Sequence, residues 1–181
     1  DAATTEIDDA FSLTGDENVG WRLGVHIAAP GLCIVADSAL DRELRSRMST
    51  VYHPAGKVTM SPPSIIEQFS LSQGRTVPVV SLYADIDPEF AVSRIETVIE
   101  ALNVTDNLDL SVIEHHFDPD LGPDQPAGCL RGRELHVLYQ LASRLRESRG
   151  EKNSHIHRKE YSFEVKKFCE NPRKNKTKKH G

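Results

Sequence analysis

Nothing in this chain is built for a bilayer or for an oxidising compartment. No apolar run approaches the ~20 residues that a membrane-spanning helix requires. Only three cysteines are present, Cys33, Cys129 and Cys169. They are far apart, odd in number and match no zinc spacing, so they read as reduced thiols of a cytoplasmic protein. There is no Walker-type or GxGxxG loop, which removes the common nucleotide-cradling motifs. His115-His116 and the His155/His157 pair have no Cys or His set near them in sequence, so both pairs read as surface residues. Ser12, Ser49 and Ser81 lack a His/Asp arrangement along the chain that would mark a nucleophile. His26, between Val25 and Ile27, reads as a packed or hydrogen-bonded histidine and not as a ligand. The chain opens on an acidic, polar stretch, unlike a secretory leader, and without Met, so a piece of a longer protein is expected.

What is present fits one globular domain. The length is 181 residues, with 38% hydrophobic and 27% charged residues. The net charge of −5 conceals an asymmetry. From Glu164 onward seven Lys/Arg face two Glu, a balance of +5, which leaves −10 on the body before it. An acidic body does not suggest broad phosphate binding by itself, but it suits a site that holds divalent cations. Residues 1–165 read as the folded part. Residues 166–181 read as a basic, disordered tail, too rich in Lys, Asn and Pro to bury a core.

The pattern along the body alternates between short strands and helices. Ala10–Leu13 and Trp21–Ile27 alternate like strands around a turn at Gly15-Asp16-Glu17-Asn18, which predicts a hairpin. Pro30-Gly31 ends the second strand. Asp37 or Ser38 caps a helix running to about Met48, with Leu40 and Leu44 on one face. Residues 52–56 read as a loop, and 61–64 as a turn before a short helix carrying Ile65, Ile66 and Phe69. Val77–Ile86 is β-branched and strand-like. Val92–Leu102 suits period 2 and period 3.6 almost equally. Residues 121–132 read as a Gly/Pro loop. Glu134–Arg149 is the clearest helix, with Leu135, Leu138, Leu141, Ala142 and Leu145 as its stripe and arginines near its end. Tyr161–Val165 reads as a further strand.

The informative segment is Thr5-Glu6-Ile7-Asp8-Asp9-Ala10-Phe11-Ser12, with Asp1 just upstream. An extended backbone sets Glu6 and Asp8 on one face and Asp9 on the other. A turn at Asp8-Asp9 would instead gather all of them around one point. Gathered carboxylates repel unless a cation neutralises them, and oxygen-only ligands suit Mg²⁺ or Mn²⁺ over zinc. A pair of such ions ~3.5–4 Å apart can hold a phosphodiester and activate water. The plain alternative is a solvated acidic turn, although Ile7, Ala10, Phe11 and Leu13 place the acids at the edge of a core.

Four blocks carry a resemblance: TTEIDDAFSL, WRLGVHIAAP, LDRELRSRMSTVYHP and VTMSPPSIIEQFSL, in order across residues 4–71. Together with VPVVSLYADID they resemble the catalytic RNB domain of ribonucleases II and R. The resemblance implies an α/β (α+β) fold, here a mixed sheet with flanking helices, representing the N-terminal half of that domain. It implies processive, Mg²⁺-dependent 3′→5′ hydrolysis of single-stranded RNA to 5′-nucleoside monophosphates. In the family pattern Asp-x5-Asp-x-Asp-Asp, Asp8 and Asp9 fall on the last two acids and Glu6 on the second, where Glu is one methylene longer than Asp. Asp1 fits the first with a loop one residue shorter. By resemblance Glu6, Asp8, Asp9 and Asp1 are the metal set, Asp8 and Asp9 the catalytic pair, and Tyr52 a ring that stacks on the 3′-terminal base. A half-buried loop tyrosine is the other reading of Tyr52. Ala29 stands where the family carries Asp. The family's second half, with a second aromatic stacker, an Arg-rich phosphate motif and a catalytic Glu, finds no match here, and neither do the flanking RNA-binding domains. A non-catalytic RNA-binding remnant and a small-molecule Mg²⁺ phosphoesterase are the rival expectations.

Overall fold

The computed structural model describes residues 6–53 and 56–150. Asp1, the Tyr161–Val165 stretch, the His155/His157 pair and the basic segment 166–181 lie outside the described residues.

Two hairpins dock side by side to make the main sheet. Strand β1 (Asp9–Asp16) turns through Glu17-Asn18-Val19 into β2 (Gly20–Ala28). The Asp16 carboxylate caps that turn, accepting from the Asn18 and Val19 amides at 2.8 and 3.3 Å. These backbone hydrogen bonds, Asn18's first, hold the Asp16 carboxyl below its ordinary range. A small two-stranded sheet follows, β3 (Val51–His53) with β4 (Gly56–Val58). Strands β5 (Thr76–Ile86) and β6 (Val92–Asn103) complete the large sheet in the order β1-β2-β5-β6. All of its pairings are antiparallel, where a mixed sheet was expected. For two of the three pairs the reason is connectivity, since short turns join β1 to β2 and β5 to β6 and a short turn joins only antiparallel neighbours; β2 and β5, joined by a long connection, are antiparallel as well.

Among the described residues there are four helices, α1 (Ala39–Arg47), α2 (Pro63–Phe69), α3 (Leu110–His116) and α4 (Gly132–Ser148), of which α2 packs on β5. Ser38 is the N-cap of α1, its hydroxyl accepting from the Asp41 amide. The expected α+β class therefore holds. The loop reading of residues 52–56 is corrected, because Tyr52 and His53 are strand residues paired with Lys57 and Gly56. Helix α3 has no apolar stripe long enough to signal it; the Asp109 side chain caps it by accepting from the Ser111 amide and hydroxyl. On α4 the buried residues are Gly132, His136, Val137 and Leu141, while Leu145 is exposed. The leucine stripe thus matched the covered face in part: Leu141 is buried and Leu135 and Leu138 are half-buried, while Ala142 and Leu145 are exposed and His136 and Val137 are buried beside it.

Burial along β5 changes face midway. Val77, Val79 and Ser81 are buried on one side, Ala84 and Ile86 on the other. The first side packs Val77 and Val79 with Phe69, Leu71 and Val104, fringed by Ile7, Ala10, Ala28, Ile65 and Leu102. Each such side chain removed from water contributes roughly 1.5–3 kcal/mol. The second half-core lies at the opposite end of the sheet. There Trp21 stacks on Phe90 (4.9 Å between centroids) and the Arg144 guanidinium lies over the Phe90 ring, 4.9 Å from its centroid. Phe90 adopts φ +66, a left-handed conformation that this packing holds in place. Arg133 and Arg131 tie α4 further, to Glu17 at 2.5 Å and Asp106 at 2.7 Å.

Candidate functional site: an acidic rim beside an aromatic hairpin

The acidic segment enters the fold as an extra edge. Ile7 donates its amide to the Ser70 hydroxyl (3.2 Å) and accepts from the Leu71 amide (2.8 Å), while the Asp8 carbonyl accepts from Ala28 (2.8 Å). These bonds fix an extended backbone through residues 7–9. Extended backbone alternates its side chains. Ile7 packs against the first half-core, and Glu6 and Asp8 line a cleft of about 250 Å³ together with Ala28, Thr50, Met60 and Phe69. Asp9 opens β1 opposite Ile27 and is exposed. Of the two backbone alternatives, the extended one is present: among the described residues no three Asp, Glu, His or Cys side chains are grouped to hold an ion, and Asp1 lies outside them. The strand that begins at Asp9 prevents the turn that would have brought them together.

A second contact shapes the rim. Lys57 Nζ lies 3.1 Å from Glu6 Oε2, with the lysine and glutamate side chains 28% and 22% exposed. Lys57 is the cross-strand partner of Tyr52. The hairpin carrying that tyrosine is therefore tied to the acidic segment. Its base is anchored by Met60 N donating to Thr50 Oγ1 (3.1 Å) and by Arg47 donating to the Thr59 carbonyl (3.1 Å). Tyr52 is 74% exposed. It is neither half-buried nor in a loop, and its ring is open to stacking.

Ala29, where the resemblance calls for Asp, is buried at the end of β2, its amide donating to the Pro78 carbonyl. It offers no carboxylate to the neighbouring Asp8 edge. His26 is the packed histidine that was expected, fully buried with both ring nitrogens bonded: Nδ1 to Ser81 Oγ at 2.7 Å and Nε2 to Ser12 Oγ at 2.8 Å. Burial pushes its pKa down, against the pull of Glu100. The Ser81 and Tyr83 hydroxyls in turn hold the Glu100 carboxyl below its ordinary range. The sequence hid the histidine that serves Ser12 and Ser81, because it lies 14 residues from one and 55 from the other. No nucleophile results, since His26 and Ser81 are sealed from solvent. Gly24 makes room for the network: a Cβ there would stand 2.4 Å from Ser12 Oγ and 2.6 Å from His26 Nε2. His115 and His116 are exposed and bond helix carbonyls, as surface residues do.

For a metal, the donor chemistry is the test. Mg²⁺ is typically held by one or two carboxylates plus substrate phosphate oxygens. Glu6 and Asp8 supply two carboxylates on one rim, so the residues fit such an ion, with Lys57 sharing Glu6.

Fold and site together define an α+β domain whose sheet edge presents carboxylates beside an aromatic hairpin. The chain belongs to the RNB domain family, whose model matches residues 1–181. It is similar to Exoribonuclease 2 of Pasteurella multocida, 38% identical over 93 residues, covering 48% of this chain and 14% of that protein. Its fold matches Mycoplasma genitalium RNase R in complex with ribose-methylated single-stranded RNA (TM-score 0.65, 18% identity, 81% of this chain and 23% of that one). It equally matches yeast Ssd1, a pseudonuclease (TM-score 0.67, 19% identity, 81% of this chain and 17% of that one). The chain thus spans less than a quarter of the length of these relatives.

Proposed function

We propose that the chain supplies the acidic rim and base-stacking hairpin of a metal-dependent exoribonuclease, which shortens single-stranded RNA from its 3′ end and releases 5′-nucleoside monophosphates. One observation carries this reading: Glu6 and Asp8 line a single cleft, and the hairpin bearing exposed Tyr52 is tied to that rim through Lys57. Glu6 and Asp8 would hold Mg²⁺ or Mn²⁺, with Asp9 directly beyond them at the strand's start and Asp1 outside the described residues. When bound, such an ion neutralises the charge that develops on the phosphate oxygens. Tyr52 stacks the terminal base, which suits sequence-tolerant degradation because every base has a π-face. Water adds to the terminal phosphodiester phosphorus, the bond to the preceding 3′ oxygen breaks, and that oxygen leaves as the new terminal hydroxyl.

A second reading has its own support. The Lys57 ammonium occupies Glu6, and the acids do not group in threes among the described residues. Both favour a non-catalytic RNA-binding member, as the likeness to a pseudonuclease allows. Incubation of the chain, and of the longer protein expected to carry it, with 5′-labelled single-stranded RNA separates the two. A ladder of single-nucleotide steps in Mg²⁺, absent in EDTA, supports the nuclease; intact RNA with retained binding supports the second reading.

A further inference from the structure

We infer that Lys57 and Tyr52 form one nucleotide subsite, in which the ring takes a terminal base and the Lys57 ammonium takes its phosphate. This rests on the RNA-binding part of the proposed function. Tyr52 and Lys57 are cross-strand partners in the β3–β4 hairpin, so their side chains leave the same face of the ribbon. The ring is 74% exposed, and the lysine side chain, at 28%, reaches the cleft edge with Nζ 3.1 Å from Glu6 Oε2. An ammonium carries three donors. Glu6 occupies one and fixes the direction of the stem, which leaves donors for an anionic oxygen.

The charge around the subsite calls for this role. Glu6, Asp8 and Asp9 repel a polyanion, and the α1 arginines do not answer them. Arg42 donates to the Asp37 carbonyl, Arg45 pairs with Asp41, and Arg47 is held by Glu43 and the Thr59 carbonyl. Among the described residues, Lys57 is a cation that the fold aims at the acidic rim. A point charge next to a stacking ring recognises a nucleoside phosphate without reading its base.

The test measures binding of a fluorescent single-stranded RNA in EDTA by anisotropy, across a salt series. It uses the wild-type chain, Lys57→Met, Lys57→Arg and Tyr52→Ala, each checked for an unchanged melting curve. Lys57→Met keeps the apolar stem and removes the charge. It is expected to weaken binding about three- to tenfold and to reduce the slope of log affinity against log salt by about 0.7, the value of one released counterion on a single strand. Lys57→Arg should restore the slope. Weaker binding with an unchanged slope would mean that Lys57 only braces the hairpin, and would overturn the phosphate contact. Unchanged binding in Lys57→Met alongside a loss in Tyr52→Ala would also overturn it, while leaving the RNA-binding reading intact. Failure of the wild-type chain to bind RNA would remove that reading and this inference together.

Discussion

The two ends of the main sheet solve burial in opposite ways. At the Val77–Val79 end the covered face is apolar beneath and acidic at its rim, and the cover is the short helix α2 with the extended Glu6–Asp8 edge. At the Ile86 end Ala84 and Ile86 are buried on the opposite face, and arginines of α4 reach the β1–β2 turn and the β5–β6 turn. One end keeps its charges at a cleft and the other spends them as ties. The proposed ligand chemistry lies at the rim end, away from these ties.

The sharpest way to break this contrast is at the carboxylates. Asp9→Asn, or Asp8→Asn, is expected to reduce cleavage on the order of 10²-fold or more while RNA binding in EDTA persists. Mononucleotide release measured on labelled RNA checks it, and cleavage retained by Asp9→Asn removes that residue from the catalytic pair that the resemblance implies. Next in size is a paired core test. Leu71→Ala and Leu141→Ala should each cost roughly 2–5 kcal/mol in urea unfolding. Only Leu71→Ala should also weaken RNA binding, because the Leu71 side chain belongs to the cluster against which Ile7, inside the acidic segment, is packed. Equal loss of binding in both variants would erase the difference between the ends. Tyr52→Ala should then cost about 1–3 kcal/mol of single-strand affinity with no change in stability.

The smallest expected effect is a pH dependence. The folded-state pKa of His26 is lowered, mainly by burial, from its ordinary value of 6.5. The unfolded chain therefore binds the proton first as pH falls. The contribution of neutral His26 is present above about pH 6.5 and is lost as pH drops from there toward the folded value. A His26→Gln variant should close part of its stability gap to wild type between pH 7.5 and 5.5; a gap that stays constant would contradict the buried, neutral imidazole.

Much of the fold was legible from residue patterns. The Ala10–Leu13 and Trp21–Ile27 alternation announced the first hairpin, the Asp37-Ser38 pair announced the cap of α1, which is Ser38, and the four blocks across residues 4–71 pointed to the family. Less legible were the β3–β4 hairpin, whose strands of three residues each are too short to show a period, and α3, held by a cap in place of a stripe. Val92–Leu102 was balanced between strand and helix until pairing with β5 decided it.

Sequence alone determined the first hairpin's turn, the cap region of α1, the carboxylate supply around Asp8 and the family. Those depend on neighbours a few residues apart. Tertiary structure decided the rest: that Asp9 begins a strand and so points away from Asp8, that Lys57 reaches Glu6 across 51 positions, and that His26 joins Ser12 to Ser81. It also decided which face of β5 is buried at each end. The physical reason is the same each time. Charge pairing, hydrogen-bond satisfaction and burial act through space, and a strand's period-2 pattern states that its faces alternate without stating what will cover them.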